Sequence, residues 1–188
     1  MKKVKSSILA LVLGVLTSMI QVDVEENDYF PMELSEYVVF KYTDTESFVK
    51  NIDLKEKKLI GGKEYSVRLI QYSWGKNDTA YFRTENQIVY YYDNKSHTES
   101  VEIPKDIKVG MTWTSTDKAW KYEITSTKAK LETPVKKYKK LLEIKATQLQ
   151  NRDKTKLAEY LNYYKKNVGN VASVTNGKLM TYKLEKKP

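Results

Sequence analysis

The sequence contains no cysteine and one histidine among its 188 residues. Without thiols it can form no disulfide bond, no thiolate metal site and no cysteine nucleophile, and it cannot be a lipoprotein anchored through cysteine. The histidine, His97, stands in the hydrophilic stretch "DNKSHTES". We expect it to be a solvated loop residue, because the serines beside it are sequence neighbours and not the spatially assembled partners of a catalytic triad.

Motifs of catalysis and cofactor binding are missing as well. The chain has no glycine-rich phosphate loop before a helix, no His-x-x-x-His pair and no carboxylate loop of the calcium type. Two carboxylates on separate strands could act as a glycosidase pair, but no motif marks such a pair here. The acidic residues at 23–28 are expected to be solvated. We therefore expect a protein that is not an enzyme and that holds no cofactor or metal.

One long hydrophobic run is present, at the N-terminus. Lys2, Lys3 and Lys5 precede the apolar run Ile8–Ile20, which is shorter than the roughly 20 residues that a membrane-spanning helix needs. This pattern predicts a signal peptide at residues 1–21, cleaved between Ser18 and Val22, and a single domain at residues 22–188. The mature protein is expected to be secreted or periplasmic.

The formal net charge of +9 includes the three lysines of the predicted signal peptide. Positive charge favours anionic partners, and an exported protein meets lipid and acidic cell-surface polymers rather than nucleic acid. Candidate partners are therefore a cell-surface polymer, a lipid or a protein, and no motif names one of them or an oligomeric state. The lysine-rich stretch "VKKYKKLLEIK" is interpreted as a protruding or edge segment, because edge lysines prevent aggregation of sheets.

The residues that are abundant favour β structure. Fifteen tyrosines and three tryptophans stand with valine, isoleucine and threonine in short runs between turn signals such as "GGKEY", "GKND" and "TNGK". Loops this short predict antiparallel hairpins, since parallel strands need long crossovers. The fold class is mainly β, as a single curved antiparallel meander sheet that is open or forms a half barrel. The segment "KLAEYLNYYKK" fits a helical stripe and a strand equally well, so a short helix near 155–166 remains an alternative.

Two stretches repeat one spacing, "FPMELSEYVVF" and "IPKDIKVGMTW". In each, a proline (Pro31 or Pro104) is followed nine residues later by an aromatic residue (Phe40 or Trp113). A duplicated ligand site would share polar groups, whereas these copies share apolar anchors. Because proline fixes φ and lacks an N–H donor, we interpret the repeat as a way of entering a strand.

The motifs "YFPMELSEYVVFKY", "IGGKEY", "IPKDIKVGMTW" and "YYKKNVGNVASV", in this order, give the chain a resemblance to a family. The family comprises exported bacterial proteins of largely unknown function, with the patterns Y-F-P-L-x-x-G-x-x-W, P-L-x-x-G-x-x-W and Y-Y-A-x-G-V-G-x-V. Tyr37 and Phe40 replace the first glycine and tryptophan of the family pattern. The resemblance implies a curved antiparallel sheet similar to that of periplasmic lipoprotein carriers, and no established catalysis. It also favours a strand before "VGNV".

These observations lead to three functional hypotheses. The first is a non-catalytic binding or surface-interaction module, the second is a carrier of an apolar ligand such as a lipid or acyl chain, and the third is a hydrolase whose carboxylates no motif marks. A carrier predicts that aromatic side chains in matching strand positions line one concave hollow, whereas a surface module predicts exposed aromatic contacts. The predicted ligand-binding residues for the hollow are Phe40, Tyr42, Trp113 and Tyr122, and those for surface contact are Trp74, Tyr90 and Tyr92.

Overall fold

The computed structural model describes residues 27–151 and 153–185, so the predicted signal peptide and its cleavage site lie outside the described residues. Almost all of the regular structure is β. The strands are β1 (Tyr37–Tyr42), β2 (Phe48–Ile60), β3 (Lys63–Tyr72), β4 (Asn77–Glu85), β5 (Ile88–Asp93), β6 (Thr98–Ile103), β7 (Thr112–Thr114), β8 (Trp120–Glu132), β9 (Lys137–Gln148), β10 (Glu159–Lys165), β11 (Gly169–Thr175) and β12 (Lys178–Lys183). The regular helical structure within the described residues is one short 3₁₀ turn, Lys154–Lys156.

The strands form one antiparallel sheet in the order β6-β5-β4-β3-β2-β1-β12-β11-β10-β9-β8-β7. Strands that follow one another along the chain are neighbours in the sheet, except β6 and β7, which form its two edges, and β1 pairs with β12 to join the two halves. The sheet curves until its edge strands approach each other: Trp113 Nε1 donates to the Val101 carbonyl at 3.0 Å, and the Thr116 amide donates to Ser100 Oγ at 2.9 Å. The predicted curved meander is therefore confirmed, in a nearly closed form.

The segment "KLAEYLNYYKK", for which helix and strand were alternatives, contains strand β10. β10 pairs with β9 on one side and β11 on the other, for example through Tyr163 opposite Glu143 and opposite Ala172. A helix here would leave the facing backbone groups of both neighbours without ladder partners. Successive tyrosines consequently point to opposite faces, and both Tyr163 and Tyr164 are buried, in different apolar clusters.

The lysine-rich stretch occupies the β8–β9 hairpin rather than a sheet edge. The pairing of β10 with β9 ends at Leu141, and beyond it Tyr138 of β9 pairs with Leu131 of β8. The end of the hairpin therefore protrudes past β10, as the first of the two interpretations of this stretch predicts.

Within the described residues, no helix has the length and apolarity needed to cross a membrane.

Both prolines of the repeated spacing lie outside the strands. Pro31 lies six residues before β1, and Pro104 follows the last residue of β6 and precedes β7. In the second copy the loop ends at Gly110, which has a φ of 85° and donates its amide hydrogen to the Ile124 carbonyl at 2.8 Å. The chain thus leaves one strand, turns at permissive residues and enters the next.

Candidate functional site: an interior cavity

The concave face of the sheet is built by alternate residues of adjacent strands. On β1 these are Val38, Phe40 and Tyr42, and across the ladder Phe40 lies opposite Val49 and Val38 lies opposite Asn51 of β2. Because side chains alternate between the two faces of a sheet, this register brings a largely apolar set together on one side.

A cavity of about 390 Å³ lies against this face. Its apolar lining consists of Phe30, Pro31, Leu34, Val38, Phe40, Tyr42, Val49, Ile70, Ala80, Phe82, Tyr164, Val168 and Met180. Its polar lining includes Asn51, Arg68, Glu102, Asn162, Asn170, Ser173 and Thr181. A mostly apolar hollow of several hundred Å³ with a few polar groups has the form of a small-molecule site.

The segment Asn27–Leu34, which we call the N-terminal strap, closes one end of the curved sheet. Asn27 Nδ2 donates to the Gln87 carbonyl at 2.8 Å and to the Pro104 carbonyl at 3.2 Å. Gln87 and Pro104 belong to the β4–β5 and β6–β7 connections, which lie at the same end of an antiparallel meander. On the other side, the Asn167 amide in the β10–β11 turn donates to the Asp28 carbonyl. The strap therefore ties both halves of the sheet together beneath the cavity.

The opposite end of the cavity opens toward an exposed aromatic group. Tyr42 and Met180 line both the cavity and a shallower hollow of about 470 Å³. Trp74, in the β3–β4 turn, also lines that hollow and is 56% exposed. Its ring centroid lies 4.7 Å from that of Tyr72 and 5.9 Å from that of Tyr42. Tyr42 and Trp74 form the mouth of the cavity, and Tyr72 packs against Trp74.

Arg68 of β3 is the buried cation of the cavity wall. Its Nη2 donates to the strap carbonyls of Pro31 and Met32, at 2.5 and 3.1 Å. Its guanidinium carbon lies 4.7 Å from the ring centroid of Phe30 and 5.1 Å from that of Phe82. Among the described residues, Nε has no hydrogen-bond partner. Burial lowers the pKa of Arg68 to about 10, so the side chain remains charged at neutral pH.

Glu102 of β6 faces the same cavity. Tyr164 Oη donates to its Oε1 at 3.3 Å. Burial raises the pKa of Glu102, while the hydrogen bond from Tyr164 and the charge of Arg68 act in the opposite direction. A carboxyl and a guanidinium therefore share a cavity that is otherwise largely apolar, an arrangement that can orient a ligand with a polar end.

The structure separates the four residues predicted to line one hollow. Phe40 and Tyr42 line the main cavity, whereas Tyr122 lines an adjoining space of about 230 Å³ beyond Glu102 and Tyr164. Trp113 lies on the edge strand β7 and lines neither space; its ring stacks on Tyr122, with centroids 5.4 Å apart and planes 19° apart. Trp113 and Tyr122 lie away from Phe40 because β7 and β8 lie at the far end of the strand order from β1.

Tyr90 and Tyr92 lie on the opposite face of the sheet from Tyr91, as alternation along β5 predicts. The Tyr90 ring centroid lies 4.1 Å from the guanidinium carbon of Arg83, and the Tyr92 ring packs 5.7 Å from Tyr65. Tyr91 contacts Phe82, which lines the cavity. All three tyrosines are half-buried. Tyr90 and Tyr92 are thus part of a packed outer surface and do not reach the cavity.

The polar side chains of the cavity, Arg68, Glu102 and Asn162, were not predicted from the sequence. One signal was present: Arg68 interrupts the run "YSVRLIQY" at a position that shares its strand face with Ile70 and Tyr72. A charged residue on the face of a strand that also carries apolar residues is uncommon unless the residue has a buried role.

His97 is exposed in the β5–β6 turn. The described residues contain no group of three or more His, Cys, Asp or Glu that could hold a metal ion.

Comparison with solved structures identifies two similar chains. A Bacteroides fragilis protein described as exported, with a YmcC-like fold, has a TM-score of 0.50 and 10% identity over 84% of this chain and 97% of its own. A Parabacteroides distasonis protein described as a lipoprotein has a TM-score of 0.48 and 12% identity over 85% and 97%. No protein-family model and no curated protein sequence matches the chain. At 10% identity, the first likeness establishes a shared fold.

Proposed function

We propose that the protein is an exported, non-catalytic binding protein whose interior cavity holds the apolar chain of a small amphipathic ligand. The observation that carries this proposal is the cavity of about 390 Å³, whose walls are formed largely by aromatic and aliphatic side chains. A filled concave face would have favoured a purely structural sheet, whereas an apolar hollow is suited to an apolar guest.

Export is supported by the predicted signal peptide and by the fold shared with a protein described as exported. The absence of a catalytic motif in the sequence supports the non-catalytic part of the proposal. A cavity that is closed by the strap at one end and bordered by the half-buried Tyr42 and the exposed Trp74 at the other would admit a ligand from the mouth.

A second function is favoured by Trp74. This side chain is 56% exposed and packs on Tyr72 in a turn, where a large aromatic residue gains little from burial. The mouth could therefore also contact a cell-surface polymer or protein. In a sedimentation assay with insoluble cell-wall material, this second function predicts retention that Trp74→Ala reduces. Equal retention of the wild type and Trp74→Ala would show that Trp74 does not take part in this contact.

The cavity can be tested with an apolar fluorescent probe. The purified protein should bind it saturably with a stoichiometry near one, and dodecanoate or dodecanol should displace it. Ala80→Leu should abolish or strongly reduce probe binding, because Ala80 lines the cavity and is 3% exposed. The control is Thr79→Leu, which adds an apolar side chain to the other face of the same strand.

Circular dichroism and a denaturation curve must show that both variants are folded. Loss of probe binding in Ala80→Leu with retention in Thr79→Leu would support the cavity as the binding site. The proposal fails if the folded wild type shows no saturable binding, or if the two substitutions have the same effect.

A further inference from the structure

We propose that the ligand is a monocarboxylic acid with an apolar chain, bound head first so that its carboxylate contacts the guanidinium of Arg68. This inference rests on the proposed function and assigns the chemical class of the ligand and its orientation. It follows from the surroundings of Arg68, from the nearby carboxylates of Glu102 and Asp53, and from the course of the strands between Arg68 and the mouth.

Arg68 has the properties of a prepared anion site. The side chain is 8% exposed, and among the described residues its hydrogen bonds go to the carbonyl oxygens of Pro31 and Met32, which carry no net charge. Arginine has five N–H donors, and Nε of Arg68 is buried without a partner in the part of the chain that the structure describes. Burying a cation is costly, and a ligand carboxylate could accept the hydrogen bond that Nε does not make to the described residues.

The guanidinium is also held in place before any ligand arrives. The two strap carbonyls fix Nη2, and the rings of Phe30 and Phe82 contact the guanidinium. A group fixed in its bound geometry loses little freedom on binding, which favours affinity. Ala80 lies opposite Arg68 on the neighbouring strand and lines the same cavity, so its small side chain leaves space beside the guanidinium.

The acidic groups near Arg68 restrict the charge of the ligand. Glu102 lines the same cavity, and Asp53 lies directly opposite Arg68 on β2, where it accepts a hydrogen bond from the Leu34 amide and pairs with Lys55. A dianion such as a phosphate monoester would meet one guanidinium and two nearby acids. A monoanion is therefore favoured over a dianion.

The strands indicate where the chain of the ligand lies. Arg68, Ile70 and Tyr72 share one face of β3, and four residues of strand span roughly 13 Å. On β1, Val38, Phe40 and Tyr42 run alongside toward the same mouth. A carboxylate at Arg68 thus leaves the apolar chain along these side chains, with its end near Tyr72 and Trp74.

The test compares ligands that differ only in the head group. Dodecanoate should displace the probe from the wild type at a concentration about tenfold or more below that of methyl dodecanoate, because a charge-assisted hydrogen bond is lost in the ester. Dodecyl phosphate should be weaker than dodecanoate. In Arg68→Gln the acid should lose its advantage while the ester binds as in the wild type, and Arg68→Lys should restore part of the preference for the acid.

The outcomes separate this inference from the proposed function. Absence of binding by acid, ester and alcohol alike would refute the cavity as a chain site. Binding of the chain with equal affinity for acid and ester, or an acid preference that survives Arg68→Gln, would refute the role of Arg68. Stronger binding of dodecyl phosphate would refute the monocarboxylate class.

A measurement on the wild type covers the case in which Arg68→Gln does not fold. With dodecanoate labelled by ¹³C at the carboxyl carbon, the chemical shift of the bound ligand reports its ionisation. A neighbouring guanidinium lowers the pKa of a bound carboxyl, whereas burial in an apolar site without a cation raises it. We expect the bound acid to have a lower pKa than the free monomer, and a raised pKa would overturn the assignment.

Discussion

Gly169 lies against Pro31 of the N-terminal strap, and a Cβ atom placed on Gly169 would lie 3.0 Å from Pro31 Cδ. Gly169 begins β11 with a φ of 86°, which L side chains rarely adopt. The absence of a side chain at this position thus allows the strap to approach the sheet. Two motifs that are far apart in the sequence, "YFP" and "VGNV", consequently meet at the closed end of the cavity.

Gly169→Ala should therefore lower the free energy of unfolding by about 2–4 kcal/mol, through backbone strain and the clash with Pro31. The control is Gly177→Ala. Gly177 also has a positive φ, of 71°, but a Cβ there would have nothing within 4 Å, so only the backbone cost of about 1–2 kcal/mol is expected. Chemical denaturation measures the free energy of unfolding of both variants. Equal decreases in the two variants would argue against the contact between Gly169 and the strap.

The sequence predicted the architecture well where its patterns are local. Turn signals such as Gly61-Gly62, and alternating apolar residues such as Val38 and Phe40, identified the meander. β2 was not identified as a strand because its sequence "FVKNIDLKEKKLI" is rich in lysine, and because an irregularity between Asp53 and Lys57 interrupts its pairing and hence its alternation. Pairing with β1 and β3 determines the conformation of β2.

The candidate site was predicted only in part, because it depends on distant contacts. Alternation places Phe40 and Tyr42 on the concave face, but it contains no information on how far β7 and β8 lie from β1 in the strand order. The role of Arg68 depends on the strap, which lies 36 and 37 residues away in sequence at Met32 and Pro31. Contacts of that range follow from the closed shape of the sheet and not from any local pattern.

Trp113 should contribute to the near closure of the sheet. Trp113→Phe keeps an aromatic ring next to Tyr122 but removes the hydrogen bond from Nε1 to the Val101 carbonyl, so the free energy of unfolding should fall by about 1 kcal/mol. Hydrogen exchange at the amides of β6 should also become faster. Trp120→Phe, on β8, is the control, and its effect on hydrogen exchange in β6 should be negligible. If the β6 amides exchange at the same rate in Trp113→Phe and in the wild type, Trp113 does not link the two edge strands of the sheet.

Glu99 should make stability depend on pH in the acid range. Burial would raise the pKa of Glu99, but hydrogen bonds from Arg83, Lys63 and Tyr65 outweigh it and lower the pKa from 4.5 to about 2. Because the folded state holds the ionised form, this contribution is fully present above pH 4.5 and is lost as the pH falls toward 2.

The denaturation midpoint of the wild type should therefore fall between these pH values more steeply than that of Glu99→Gln. Glu85→Gln is the control, since Glu85 contacts the same Arg83 but its side chain is 59% exposed, where an ion pair contributes little. Identical pH profiles for the wild type and Glu99→Gln would contradict the assignment.

The strap should help to retain a ligand in the cavity, because it closes the end opposite the mouth and its carbonyls hold Arg68. Asn27→Ala removes the hydrogen bonds to the Gln87 and Pro104 carbonyls and so loosens the strap, and we expect a several-fold faster dissociation of the fluorescent probe in stopped-flow measurements. Asp28→Asn weakens only the exposed ion pair with Lys166 and should leave the rate nearly unchanged. If Asn27→Ala remains folded and the probe leaves at the wild-type rate, the strap does not contribute to retention of the ligand.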